Sequence, residues 1–250
     1  MDWYITGDTH GKVADRIIQN HLCEGDALII LGDAGFNFYL NETDVKQKEL
    51  VQRTGVKVFC VRGNHEERPE NLGYHLEYNE LVEQFVYADP VASNIFYLVD
   101  GATYHIDGKS VLVLGGAYSV DKDYRLSKAA SDKTWTGWFK DEQLSVAEQQ
   151  RIFEKVKGHS FDAVFSHTCP LRFVPSQCFL SGIDQSKVDK TMEHWLETVE
   201  NNINYKAWVF AHYHSNRIIY QNHEENKSVI MLFEEVIPFD ALFKKPFEEE

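Results

Sequence analysis

Short apolar runs punctuate the chain, and several of them stop at a polar cluster of similar type. Residues 2–6 (DWYIT) lead into GDTHG at 7–11, and 27–31 (ALIIL) lead into GDAG at 32–35. Residues 56–61 (VKVFCV) lead through Arg62 into GNHEE at 63–67. Residues 162–165 (DAVF) lead into SHTCP at 166–170, and 206–210 (KAWVF) lead into AHYH at 211–214. Unbroken apolar runs of this length predict strands buried on both faces. Helix-like stretches lie between them, at about 11–22, 41–54, 79–87, 145–157 and 186–202. Ser145-Val-Ala-Glu148 and Ser186-Lys-Val-Asp189 read as capping boxes. In YHIDGKSVLVLGG (104–116), Asp107-Gly108 predicts a hairpin between two strands. Further strand-like runs lie at 216–221 and 228–233, and the terminal EEE reads as a frayed tail. The pattern is α/β with added hairpins.

Composition narrows the class. A chain of 250 residues, 43% hydrophobic, suits one α/β domain with a sizeable core and room for an insertion. No apolar run approaches the roughly 20 residues of a membrane span. MDWYITGDTHG has neither a basic region nor a cleavage-site pattern, so no signal peptide is expected. The four cysteines (Cys23, Cys60, Cys169, Cys178) form no CxxC pair and are expected to be reduced thiols in a cytoplasmic protein. A net charge of −14 argues against a nucleic-acid partner, which needs a basic face. It also repels phosphate, so a phosphorylated substrate requires a local centre of positive charge.

The strand ends carry candidate chemistry: Asp8, His10, Asp33, Asn64, His65, His167, His212 and His214. Each has an ordinary reading alone. GDxxG is often a turn, Asp8-Thr9-His10 resembles a helix cap, and a lone histidine is commonly packed or exposed. The joint occurrence after five apolar runs is harder to explain structurally, because open α/β sheets bind ligands where strands end. Mixed nitrogen and oxygen donors suit Mn, Fe, Zn or related ions. The set exceeds one tetrahedral site and matches two metals that share a carboxylate.

With these motifs in this order, the chain resembles the calcineurin-like metallophosphoesterases. The resemblance rests on GDTHG (7–11), GDAG (32–35), RGNHE (62–66), SHTCP (166–170) and AHYH (211–214), and spans most of the chain. It implies a four-layer α/β/β/α sandwich with mixed sheets. It implies two divalent transition metals, Mn²⁺ or an Fe/Mn pair in first place, with Zn or Ni as alternatives. One metal would take Asp8, His10, Asp33 and His214, and the other Asp33, Asn64, His167 and His212, with Asp33 bridging. His65 would bind neither metal and act as the acid near the leaving group. Arg62 matches the residue before GNHE in the protein-phosphatase branch and is a candidate for substrate binding, beside Asn64.

Such a site has a chemical logic. A water held by two metals about 3.5–4 Å apart becomes a nucleophile at neutral pH, and the metals neutralise the phosphoryl oxygens. Two divalent ions outweigh Asp8 and Asp33, so the centre stays positive despite the acidic chain. Asn64 adds a ligand without further negative charge. His65, with an unperturbed pKa near ~6.5, suits acid catalysis. Gly63 is expected to allow a sharp turn. Glu66 and Glu67 read as a cap or as partners of a ligand histidine, with a solvated face favoured for Glu67.

The chain departs from the protein Ser/Thr phosphatases of that superfamily. They carry an Asp-Arg pair shortly after the bridging Asp, whereas here the run is GDAGFNFY. The last motif begins with Ala211 where Gly is common. Segment 116–140, polar and aromatic, is expected to form a loop over the metals, with Arg125 contacting a phosphoryl oxygen and Tyr118, Trp135 and Trp138 stacking a base or packing the loop. The expected substrate is a small phosphodiester or nucleotide. A phosphomonoester, including phosphoprotein, comes second and a nuclease third. A metal-bound scaffold without catalysis is the alternative of another class, and a scaffold has no need of His65.

Overall fold

The apolar runs that end in polar clusters are strands lying side by side. A computed structural model describes residues 1–244 except Lys133, Thr134, Thr136, Leu180, His223 and Asn226. The acidic terminal residues fall outside the described residues. β1 (Trp3–Thr6), β2 (Ala27–Ile30) and β3 (Lys57–Cys60) are parallel neighbours. β6 (Ile95–Leu98) continues the parallel set beside β3. The antiparallel hairpin of β4 (His75–Asn79) and β5 (Gln84–Ala88) extends one side of this sheet. β13 (Val236–Pro238) pairs antiparallel with β1 on the other side.

The second sheet is built the same way. β8 (Lys109–Leu114), β9 (Ser160–Ser166), β10 (Asn204–Phe210) and β12 (Lys227–Met231) are parallel. β7 (Thr103–Ile106) and β11 (Arg217–Asn222) close its two edges antiparallel. The β7–β8 hairpin turns at Asp107-Gly108 as expected, with φ of 47° and 70°.

Two-sided burial of the strands sets the layers. Ile5, Ile29 and Phe59 of the first sheet pack with Val113, Phe165 and Val209 of the second, forming a central apolar layer. On the outer face of the first sheet, Leu28, Ile30 and Val58 meet Val13 and Ile17 of α1 (Val13–Gln19) and Val51 of α2 (Glu42–Gln52). On the outer face of the second, Leu112, Val164 and Trp208 meet Ile152 of α4 (Val146–Val156) and Leu196 of α5 (Thr191–Glu200). The result is a helix–sheet–sheet–helix sandwich with two mixed sheets. Among the described residues, no helix is long and apolar enough to cross a membrane.

Three expectations change. Residues 79–87, rich in helix formers, contain the turn and second strand of the β4–β5 hairpin, and Glu83 takes a left-handed φ of 51°. Pairing of Val86 with Leu98 on β6 outweighs the local helix preference. The helix expected from 186 begins at Thr191, because Asp189 accepts from the Thr191 amide at 2.9 Å instead of forming a box with Ser186. Segment 116–140 holds a helix, α3 (Lys122–Ser131), and is not simply a loop. The Ser145–Glu148 capping box is present on α4.

Candidate metal centre

The order of strands explains why distant motifs meet. β1, β2 and β3 end together in the first sheet, and β9 and β10 end together in the second. β2 lies between β1 and β3, so Asp33, just beyond β2, stands between the Asp8–His10 turn and the Asn64–His65 turn. Backbone bonds tie these turns together. The His10 amide donates to the Asp33 carbonyl at 2.8 Å, and the Ala211 amide to the His167 carbonyl at 2.9 Å.

Two groups of donors converge. His10 Nε2, His214 Nε2 and an Asp8 oxygen form the first. The two nitrogens approach to 3.0 Å, and Asp8 Oδ2 lies 3.1 Å from His214 and 3.6 Å from His10. Asp8, Asp33 and His167 form the second. Asp33 Oδ2 lies 3.5 Å from His167 Nε2, and Asn64 Oδ1 lies 2.8 Å from the same nitrogen. His212 belongs to neither tight group. Its ring centroid is 5.0 Å from that of His167, and its amide donates to Asp8 Oδ1 at 2.9 Å.

The donors are aimed from behind. Asp33 Oδ1 accepts the amides of Asn64 and His65, each at 2.9 Å, which leaves Oδ2 as the inward oxygen. His167 Nδ1 donates to the Leu31 carbonyl at 2.7 Å, so Nε2 is the nitrogen turned inward, and a metal there would take the place of its proton. Asn64 Nδ2 donates to Ser119 Oγ at 2.8 Å, and Ser119 donates to buried Glu142 at 2.5 Å, which turns Oδ1 of Asn64 inward. His214 stacks on Phe233 with the rings 4.7 Å apart. Arg16 donates to Thr6, to the Phe233 carbonyl and to the Asp8 carbonyl, bracing the first turn.

Backbone strain marks the same residues. His10, Asp33, His212 and His214 take left-handed φ values of 46°, 49°, 67° and 50°. Such conformations cost of order 1–3 kcal/mol each for non-glycine residues and concentrate at functional sites. Two glycines serve close approach. A Cβ on Gly32 would run into the His167 ring, and one on Gly63 would run into Asp33. Gly63 has no left-handed φ, so close approach to Asp33 requires it and the expected sharp turn does not.

The field at the centre favours a cation. Burial alone would raise the Asp33 carboxyl, but His65 and His167 outweigh it and hold it well below the usual carboxylate range. Burial opposes charge on His167, yet Asp33 and Asp8 push its pKa up to about 9. Burial, followed by the charge of His167, drives His212 down to about 3, leaving a neutral imidazole. Two buried carboxylates facing neutral or cation-favouring donors fit divalent metals. Asp8, His10, Asp33, Asn64, His167, His212 and His214 would hold them.

The expected substrate contacts separate. His65 Nε2 lies 3.9 Å from Asp33 Oδ2 and 3.4 Å from an Arg125 guanidinium nitrogen. Arg125, on α3, is held by Asp121 at 2.7 Å and by the Gly137 carbonyl at 2.6 Å. Arg62 faces elsewhere. Its three nitrogens bind Asp100 at 2.7 Å and the carbonyls of Glu142 and Gly115 at 2.9 and 3.1 Å, and it does not line the cleft over the donors. Tyr118 lines that cleft. Trp135 and Trp138 do not, and instead carry the ammonium groups of Lys128 and Lys122. Glu66 accepts from the Gly35 amide, bracing the Asp33 loop, and binds no histidine.

The sequence reading missed Asp121, Ser119, Glu142 and the cleft wall that includes Val174, Phe179, Ile183 and Val188. Asp121 and Arg125 are spaced i,i+4 on a helix, a readable signal. The others carried none. The cleft has a volume of about 440 Å³, within the ordinary range for small-molecule sites.

A family model described as calcineurin-like phosphoesterase matches residues 1–216. The chain belongs to the calcineurin-like phosphoesterases. A search among curated proteins finds no match. Hydrolysis of phosphoesters with the help of metal is the general chemistry of this phosphoesterase family, and the candidate ligand groups lie within the matched residues.

Proposed function

We propose that this phosphoesterase hydrolyses a small phosphodiester or a nucleotide with two divalent metals, Mn²⁺ or Fe/Mn in first place. The observation that carries the reading is the convergence of two donor groups around Asp8 and Asp33, with His65 and Arg125 beside them. Bound there, the metals supply a neutral-pH nucleophile and neutralise phosphoryl oxygens. Asp33, whose Oδ1 is taken up by the Asn64 and His65 amides, would be the shared carboxylate, with Asp8 beside both donor groups, and Asn64 Oδ1, held by Ser119, would be the uncharged donor.

The chain's own groups complete the reaction. Arg125 directs a guanidinium nitrogen at the same space as His65, where it binds a phosphoryl oxygen and orients the ester for in-line attack. His65 gives a proton to the departing oxygen. Burial first, and Arg125 after it, lower its pKa against the opposing pull of Asp33, so the acid role requires that the negative charge of a bound phosphoryl group restore the imidazolium. The Asp121–Arg125 pair thereby occupies the role left open by the Asp-Arg pair missing after Asp33. A cleft walled on several sides favours a small ester over a folded phosphoprotein.

The test is hydrolysis of 4-nitrophenyl phosphate and bis(4-nitrophenyl) phosphate by metal-stripped protein with Mn²⁺ restored. Mn²⁺-dependent turnover with the bis-ester faster supports the reading, and a faster monoester replaces it with a phosphomonoesterase. No turnover of either by protein carrying two metals defeats it in favour of a binding role.

A further inference from the structure

The cleft wall contains a buried acceptor that neither the metals nor the phosphate uses. Among the described residues, two buried side-chain oxygens without a partner belong to residues lining the cleft: Gln47 Oε1 and Glu193 Oε2. Gln47 packs against the Gly11 turn beside His10. Glu193 is of a different kind, because it is ionisable and only 5% exposed. Burial pushes its carboxyl up, so the unpaired oxygen carries a desolvation cost.

Its other oxygen is engaged. Thr168 Oγ1 donates to Glu193 Oε1 at 2.8 Å, and the Tyr213 hydroxyl lies 3.1 Å from Thr168 Oγ1. With the Thr168 proton directed at Glu193, Tyr213 donates to Thr168, and the relay ends on a carboxylate. Thr168 follows His167, and Tyr213 lies between His212 and His214. Glu193 is therefore tied to the ligand-bearing loops of the second sheet. A purely structural anchor for α5 needs only Oε1.

The same cleft is lined by apolar and aromatic side chains, with Val174, Phe179, Ile183 and Val188 on one segment and Tyr118 and Phe38 on others. A flat apolar group fits such walls, and a buried carboxylate oxygen among them calls for a hydrogen-bond donor on that group. We propose that Glu193 is a specificity residue, whose free oxygen accepts a hydrogen bond from an amino group on the base of a nucleotide substrate. The assignment deepens the phosphoesterase reading and rests on it.

The experiment compares adenosine 5′-monophosphate with purine riboside 5′-monophosphate, which differ only in the amino group. Calorimetry measures binding of each to the full-length, Mn²⁺-loaded protein and to Glu193→Gln, which retains an oxygen for Thr168 but turns an NH₂ to the ligand. The expected result is a preference for the amino-bearing nucleotide of roughly tenfold or more in the wild type, lost in Glu193→Gln at an unchanged melting temperature. A purely structural Glu193 would lower the melting temperature without touching the preference. Equal binding of both nucleotides by the wild type, binding of neither, or a preference retained in Glu193→Gln overturns the proposal. Wild-type turnover of bis(4-nitrophenyl) phosphate separates the two readings. Turnover without base preference defeats the Glu193 assignment alone, and absence of turnover defeats the phosphoesterase reading while calorimetry still decides Glu193.

Discussion

Asn64 and Ser119, 55 residues apart, meet in a 2.8 Å hydrogen bond that leaves the Asn64 oxygen facing His167. Ser119 in turn donates to Glu142, so a three-residue chain reaches from a buried carboxylate to a metal-ligand candidate. An amide has two nearly isosteric ends, and only the partner behind it decides which end faces the metal.

Ser119→Ala is therefore expected to weaken binding at the Asn64 half of the centre by about tenfold or more, with little loss of fold. Titration calorimetry with Mn²⁺ on metal-stripped protein measures it. Two sites with wild-type affinity in the variant would show that Asn64 needs no such support.

His65 and Asp33 should separate catalysis from metal binding. His65→Ala is expected to keep both metals and to lose turnover by about 10²-fold or more. Asp33→Ala is expected to lose metal and turnover together, because its carboxylate faces His167 and supports the amides of Asn64 and His65. Metal content by plasma emission, alongside rates on a nitrophenyl ester, decides between these outcomes. An active Asp33→Ala protein contradicts the bridging role.

Gly63→Ala tests close approach directly. The added methyl would collide with the Asp33 carboxylate and amide, so the turn must shift. The expected loss is about 1–3 kcal/mol, read from denaturant midpoints. A neutral substitution would mean that the Asp33 loop moves freely, and the metal affinity of this variant should then be normal as well.

A pH dependence is expected away from the centre. Burial opposes ionisation of Glu148, but hydrogen bonds from Ser145 and the pairing with Arg68 outweigh it and lower its pKa to about 2. A depressed carboxyl stabilises the fold above its unfolded pKa and ceases to do so as pH falls through the folded value. The difference in stability between wild type and Glu148→Gln should be about 1 kcal/mol near neutrality and should shrink from about pH 4.5 downwards. Urea unfolding at several pH values follows it. A difference that is constant with pH would assign the effect to packing.

The carboxylate, imidazole and amide donors, and their positions after apolar runs, were legible in the sequence. So were β1, β2, β3, β9 and β10, the Asp107-Gly108 hairpin and the capped α4. Each depends on residues a few positions apart, where burial period, turn chemistry and capping act locally. The β4–β5 hairpin was not legible, because pairing with β6 overrode local helix preference. Arg62 illustrates the other limit. Its place before GNHE suggests a substrate contact, but the fold brings Asp100 and the carbonyls of Gly115 and Glu142 around its guanidinium.

By itself the sequence determined the chemistry that could gather at the strand ends: carboxylates, imidazoles and one amide in a set that suits two metals. The tertiary structure decided which atoms face inward, which arginine reaches His65, and that Glu193, with one buried carboxylate oxygen unpartnered, is among the residues of the cleft wall. The physical reason is range. A strand end is specified by neighbours in the chain, whereas orientation is set by hydrogen bonds and steric limits between segments that only packing of the two sheets brings together.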